Sequence, residues 1–377
     1  MGLGACSLEG VDVSTVVDRD FWHGKKVFMT GHTGFKGSWL SLWLEELGAA
    51  VHGFALEPPT KPSFFVVAKL CDRVASHTEG DIRDATALHG AIQRAQPEIV
   101  LHLAAQSLVR PSYVRPLETY SVNVMGTANL LEAVRHTPSV RAVIIVTSDK
   151  CYENREWVWP YREHEPLGGT DPYSSSKACA ELVAAAYRSS FMSAAGIPLA
   201  SARAGNVIGG GDWAADRLIP DFLRAFDARQ VLNIRSPDAT RPWQHVLEPL
   251  AGYLRLAEDL CGEGGMAFAE AWNFGPVEEG AKPVRWIVET LCHLAPEARW
   301  RCDSTPQPHE AHKLSLDSTK ARMRLGWQPR WNLPMALERT LEWHMAWRGG
   351  MDMAEFSLDQ IRAYQAERTL EHTLPYQ

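Results

Sequence analysis

Tyr173 and Lys177 stand four residues apart in Asp171-Pro172-Tyr173-Ser174-Ser175-Ser176-Lys177. On a helix that spacing puts both side chains on one face. An ammonium beside a phenol lowers the phenol's pKa from about 10 towards neutrality, which makes Tyr173 a usable base. Upstream, the apolar run Ala142–Val146 ends in Thr147-Ser148-Asp149-Lys150. Ser148, at a strand end, would share the reacting oxygen with Tyr173. A tyrosine–lysine pair at this spacing is common in helices. Downstream of a strand-end serine it points to proton removal from an alcohol while hydride leaves the same carbon.

That chemistry needs a hydride acceptor, and Thr30-Gly31-His32-Thr33-Gly34-Phe35-Lys36-Gly37 is built to hold one. The stretch follows the short apolar strand Val27–Met29. It precedes a helix whose Leu40, Trp43, Leu44 and Leu47 share one face. Gly31 and Gly34 let the backbone turn sharply and approach a pyrophosphate. Gly37 lets helix and strand pack closely, and the free N–H groups at the helix start hold phosphate charge. Thr33 and Phe35, between the glycines, belong to the same cofactor-binding turn. A second strand, Ala50 to Leu56, ends at Glu57, twenty residues past Gly37. An acidic side chain there accepts hydrogen bonds from adenosine ribose hydroxyls and repels a 2′-phosphate, which favours NAD over NADP. The other reading of Glu57 is a solvated loop glutamate before two prolines. Asp81 and Ile82 either meet the adenine edge or cap a helix starting near Asp84.

Elements must position these residues, and their alternation supplies them. Ile99–Ala105 is a nearly unbroken apolar strand, as a buried parallel sheet demands, and its small end, Ala104-Ala105, would let backbone lie against the cofactor. Gln106 follows it, and Asn123 falls on the first turns of a helix from Tyr120 to His136. Another helix runs from Pro172 to Phe191. The expected fold class is α/β, a doubly wound parallel sheet (Rossmann) with a smaller C-terminal substrate-binding domain. Residues 21–205 and 242–275 would form the cofactor-binding domain, and 206–241 with 276–350 the substrate domain. Residues 1–20 and 351–377 read as peripheral tails. Trp157, Trp159 and Trp243 read as packing residues.

The 377 residues carry a net charge of −7, so a general polyanion-binding surface, and with it nucleic acid, is not expected. Seven scattered cysteines without C-x-x-C or metal-ligand spacing read as reduced thiols of a cytoplasmic protein that holds no metal. No apolar run reaches membrane-spanning length.

Several long stretches carry a specific resemblance: Gly31–Leu40, Ala104–Gln106, Thr147–Tyr152, Asn154–Trp159, Arg203–Trp213, Arg241–Val246 and Pro308–His312. They resemble the CDP-glucose 4,6-dehydratases, nucleotide-sugar enzymes of the extended short-chain dehydrogenase/reductase superfamily, nearly from Phe21 to Trp347. The resemblance implies that CDP-glucose is oxidised at C4 on a tightly held NAD, loses water across C5–C6, and is reduced at C6. It makes Tyr173 the first base, with Ser148 and Lys177 beside it, and Asp149 the acid for the departing C6 hydroxyl. Related dTDP-glucose enzymes follow that Asp with a Glu that takes the C5 proton; here Lys150 stands instead. Lys150 would either take that proton or remain an ammonium that stabilises charge on the C4 oxygen. Arg241 and Arg217 would grip the diphosphate, with guanidinium forks matched to phosphate oxygens, and Asn206 and His309 would line the sugar-nucleotide site. The helices near 120–136 and 172–191 would build a homodimer. A GDP-mannose dehydratase or a UDP-sugar 4-epimerase is the alternative; an epimerase has no need of Asp149. A non-catalytic cofactor sensor would be expected to lack the tyrosine or the lysine, and both are present.

Overall fold

The computed structural model describes residues 17–276, 281–303 and 314–367. Twelve strands lie among them: β1 (Lys26–Thr30), β2 (Ala50–Ala55), β3 (Ser76–Glu79), β4 (Ile99–His102), β5 (Ala142–Val146), β6 (Leu199–Ala204), β7 (Asn206–Ile208), β8 (Val231–Ile234), β9 (Thr240–His245), β10 (Ala271–Phe274), β11 (Ala281–Pro283) and β12 (Arg299–Cys302). Seven form one sheet in the order β3-β2-β1-β4-β5-β6-β10, and every neighbouring pair is parallel. Strand order reverses between β1 and β4, where Thr30 pairs with His102. A doubly wound sheet opens its crevice at that point, beyond the carboxyl ends of the strands.

Helices cover both faces, so the central strands are apolar on both sides and their residues divide with period two. Val27, Met29, Leu101 and Ile144 point into one core, with Trp39, Trp43 and Leu254. Phe28, Val100, Val143 and Ile145 point into the other, with Ile92, Leu131 and Ala184. A third core joins Ile208, Phe222, Leu232, Trp243, Ile287 and Leu337 under two small sheets, β11-β9-β7 and β12-β8.

Four sequence expectations are corrected. The split at residue 242 falls inside β9, which pairs with β7 and β11, so the chain returns to the large sheet only at the helix Leu247–Cys261. Of the expected tail 351–377, the described part, 351–367, is not simply peripheral. Met353–Ala366 is a helix whose Leu358, Ile361 and Tyr364 recur at helical spacing and sink into the first core. The helix expected from Tyr120 to His136 is interrupted by a π-type turn at Ser121–Met125 that carries Asn123. Trp159 is 65% exposed and packs only edge-on against Trp157, although Trp243 is buried as expected.

Candidate active site

β5 delivers Thr147 and Ser148 to the carboxyl edge of the sheet, and a single tight turn, Asp149–Cys151, follows. Ser148 Oγ caps that turn by accepting from Lys150 N at 3.3 Å, and donates to Asp149 Oδ1 at 2.9 Å. Opposite stands the helix Pro172–Tyr187. Asp171 caps it by accepting from Ser174 N, and Pro172 occupies its first position, where a fixed φ is already helical. The helix start is thus fixed, Tyr173 and Lys177 fall on one buried face, and the Tyr173 phenol lies near enough to Ser148 for that hydroxyl to favour its anion.

Burial dominates the electrostatics here. It pushes the Tyr173 phenol up to about 12, against the Ser148 hydrogen bond and the Arg217 charge. It also brings the Lys177 ammonium down to about 8, and Lys177 Nζ donates to the Val146 carbonyl at 3.4 Å. The expected lowering of the phenol by Lys177 is not what the site gives: desolvation of the anion outweighs the opposing influences, and the cation among them is Arg217. Asp149 is 3% exposed, and burial raises its carboxyl despite Lys150, Ser148, Arg241 and Lys36. A carboxyl held up in this way can keep a proton to donate.

The glycine turn fits a dinucleotide. Gly31 has φ +76°, and a Cβ there would lie 2.6 Å from Ala104 N. At Gly37 a Cβ would lie 2.2 Å from Gly31 O, so only glycine lets the helix Phe35–Glu46 sit so close. That helix begins at Gly34 with no capping side chain, which leaves its first N–H groups for a phosphate. Thr33 Oγ1 donates to Leu56 O at 3.0 Å and pins the turn to the end of β2, where Glu57 is exposed.

Gly31, Thr33, Gly34, Phe35, Gly37, Glu57, Asp81, Ile82, Ala104 and Ala105 line one cleft with Ser148, Asp149, Lys150, Tyr173, Lys177, Asn206, Arg217 and Arg241. Its volume is about 1300 Å³. A single drug-sized ligand fills about 300–1000 Å³, so the space suits a dinucleotide together with a second, nucleotide-sized ligand. A family model described as GDP-mannose 4,6 dehydratase matches residues 28–340, which takes in every one of these cleft residues.

The chain belongs to the GDP-mannose 4,6 dehydratase family.

Within the wider set of relatives, a CDP-glucose 4,6-dehydratase of Salmonella typhimurium is 56% identical over 360 residues, covering 94% of this chain and 100% of that one. A dTDP-glucose 4,6-dehydratase of Xanthomonas campestris is 24% identical, covering 89% and 98%. Among solved structures, a dTDP-glucose 4,6-dehydratase of Streptomyces venezuelae with NAD bound superposes with a TM-score of 0.72 at 25% identity, covering 87% and 99%.

Not every expected residue reaches the cleft of this family member. Asn123 turns to the Gln106 backbone instead, and the Gln106 side chain bonds Leu108 and Thr119. Asn123 Oδ1 accepts from Gln106 N at 2.9 Å, and Asn123 Nδ2 donates to Gln106 O and to Ser176 Oγ. They brace the Ala104–Ala105 segment against the catalytic helix. Asp81 lines the cleft, but its carboxylate is engaged by Arg83, and Asp84, not Asp81, caps the next helix. His309 lies outside the described residues. Arg217 pairs with Asp212 at 3.0 Å and Arg241 is buried with its charge towards Asp149, so both arginines sit near the reacting end. Lys36 is a residue the motif displayed without revealing a role. Burial, then Arg217 and Lys177, bring its ammonium down to about 7, while Asp149 pulls the other way. Its signal was a lysine inside the glycine turn, and only the fold shows that it faces Asp149.

Proposed function

We propose that this chain is an NAD-dependent CDP-glucose 4,6-dehydratase, a hydro-lyase that converts CDP-D-glucose to CDP-4-keto-6-deoxy-D-glucose and water. The observation that carries the reading is the buried Asp149 carboxyl joined to Ser148 in the same cleft as Tyr173 and Lys177. A plain alcohol dehydrogenase or an epimerase needs the hydroxyls and the lysine but no such acid.

The glycine turn from Gly31 to Gly37 would hold the cofactor's pyrophosphate, Glu57 its adenosine ribose, and Lys177 its nicotinamide ribose. Bound NAD supplies a hydride acceptor for C4 and afterwards a donor for C6. Tyr173, once in its phenolate form, takes the proton of the C4 hydroxyl while Ser148 holds the same oxygen. The C4 ketone then acidifies the C5 proton. Lys150, at the mouth of the turn, handles that proton, and Asp149 gives its own to the C6 oxygen as the C–O bond breaks. Arg217 and Arg241, which both line the cleft, would grip the diphosphate.

The cytidine nucleotide is supported by the Salmonella relative that matches along its whole length. Exposed Tyr113, Val114, Leu117, Met125 and Leu182 on the helices at 109–125 and 172–187 support a homodimer through those helices. Six unpaired cysteines among the described residues support a cytoplasmic location, and no described helix is long and apolar enough to cross a membrane. The test is isotopic. Deuterium at C4 of the glucose should be recovered at C6, and in deuterated water C5 should acquire the label. Loss of the C4 label to the medium would sink the proposal. Offering CDP-, dTDP-, UDP- and GDP-sugars separately, with the 4-keto-6-deoxy product followed by its alkaline chromophore, tests the nucleotide.

A further inference from the structure

Behind the cleft lies a buried hydrogen-bonded set that none of these steps uses. Glu181 sits one helical turn beyond Lys177. Its Oε1 accepts from Thr147 Oγ1 at 2.5 Å, and its Oε2 accepts from Ser201 Oγ at 2.6 Å and Arg203 Nη2 at 2.7 Å. Glu181 and Arg203 side chains are each 3% exposed. Arg203, on β6, also donates to the Tyr152 hydroxyl at 2.7 Å and lies over that ring. The Tyr152 hydroxyl in turn donates to Asn273 Oδ1 on β10.

Thr147 immediately precedes Ser148, and Tyr152 immediately follows Cys151. The reactive segment is therefore tied at both ends, while the backbone bonds within the turn are long, 3.2 Å from Cys151 N to Ser148 O and 3.4 Å from Tyr152 N to Asp149 O, and Cys151 O accepts from Gly168 N at 2.9 Å. We propose that Glu181 and Arg203 are positioning residues that fix Ser148, Asp149 and Lys150 by clamping the ends of their turn through Thr147 and Tyr152. The inference rests on the catalytic set assigned above. A buried ion pair is seldom the most stable filling for a core, since well-packed apolar residues of similar volume often do as well or better. What the pair supplies is fixed geometry: a site on a strand-to-helix turn must be held within about half an ångström to work. Glu181 acts on the second half of the site too, because its carboxylate opposes the burial that weakens the Lys177 ammonium. The other groups facing Lys177 are Cys151 on the turn, Lys36 on the glycine-turn helix and the neutral His102 on β4.

Single-hydroxyl deletions test the clamp with little damage to the fold. Thr147→Val and Tyr152→Phe should each lower kcat about tenfold or more, because an ångström of misplacement can cost about 100-fold, while the KM for CDP-glucose stays within about twofold. Thr147→Ser, which restores the donor to Glu181, should recover most of the loss. Glu181→Gln should move the alkaline limb of the kcat/KM profile to lower pH, because an anion that favours Lys177 as ammonium is gone. Melting temperatures that fall while kcat and the pH profile stay parental would overturn the clamp and leave a purely structural pair. Tyr173→Phe is run alongside. If it retains turnover, the catalytic assignment itself fails. If it is inactive while the hydroxyl deletions keep full kcat, only the clamp fails. Should Glu181→Gln not fold, the hydroxyl deletions decide alone.

Discussion

Gly205 joins β6 to β7 with no side chain, and a single methyl there tests the acid without changing its chemistry. An ideal Cβ at Gly205 would lie 2.7 Å from Pro242 Cγ, 3.2 Å from Asp149 Oδ2 and 3.3 Å from Pro242 O. Carbon atoms settle at about 3.5–4.0 Å, so Gly205→Ala forces a shift of about 0.8 Å or more. The proline ring cannot swing aside as a long chain would, and it is bonded to Arg241, whose charge acts on Asp149. Either the carboxyl or that strand must give. Overpacking of this kind costs about 1–3 kcal/mol of stability. An ångström of misplacement at the acid costs up to about 100-fold in rate, about 2.7 kcal/mol on the barrier. We therefore expect kcat for the 4-keto-6-deoxy product to fall about 10- to 100-fold, a range set by that misplacement. Oxidation at C4, seen as reduced cofactor in a single turnover, should survive better than dehydration. Normal kcat in a variant whose melting temperature has dropped would show that the strand at Pro242 takes up the whole shift, and would refute the claim that this methyl displaces the Asp149 carboxyl.

Removing the phenol in Tyr173→Phe should cost about 10²–10⁴-fold in kcat, the usual range for a general base, with NAD binding by titration unchanged; near-normal turnover refutes the assignment. Lys150→Met should oxidise C4 and then stall, with slow solvent exchange at C5. Partial rescue by Lys150→Glu makes Lys150 the base, no rescue makes it an ammonium, and full activity of the methionine variant excludes both roles. Stability against pH has a worked sign. Burial holds His32, His102 and His245 down to about 3, so between 6.5 and 3 the unfolded chain binds the extra protons and acid destabilises the fold. Burial raises Glu248 and Glu258 to about 7, so from 7 to 4.5 the folded chain binds more protons and acid stabilises it. The two sets oppose each other down to about 4.5, below which only loss remains. The urea midpoint should change little from pH 7 to 4.5 and then fall steeply; a steep loss already at pH 5–6 would contradict these burials.

Much of the site was legible because its signals are local. The glycine turn, the strand-end Ser148 and the Tyr173–Lys177 helix face each declare themselves within a few residues, and the fold brings them into one cleft. What failed was long-range. The depth that raises Tyr173 rather than lowering it depends on the tertiary surroundings, not on the spacing of the lysine. Asn123 and Gln106 looked free to meet a ligand, and only the packing shows that Asn123 is taken up by the Gln106 backbone and the Gln106 side chain by Leu108 and Thr119. Lys36 was visible in the motif, yet its nearness to Asp149 depends on β1 and β5 lying in the same sheet with β4 between them. Helix Met353–Ala366 was missed because its apolar stripe is sparse and rich in small residues, so its composition reads as polar.

That last helix bears on how the protein must be made. Tyr364 packs against Trp43, on the helix that follows the glycine turn, and against Trp331, while Trp343 donates to Ser357. The first mononucleotide unit thus borrows its outer wall from the opposite end of the described chain. Contacts so distant in sequence are formed late and slow folding. A nascent chain that has already emerged with Trp43 lacks the part of its cover that Tyr364 supplies until residue 364 arrives, and meanwhile leaves apolar surface open to other chains. Ribosomal pausing within the last third of the message should therefore lower soluble yield more than pausing elsewhere, and a chaperone that shields apolar surface should restore it.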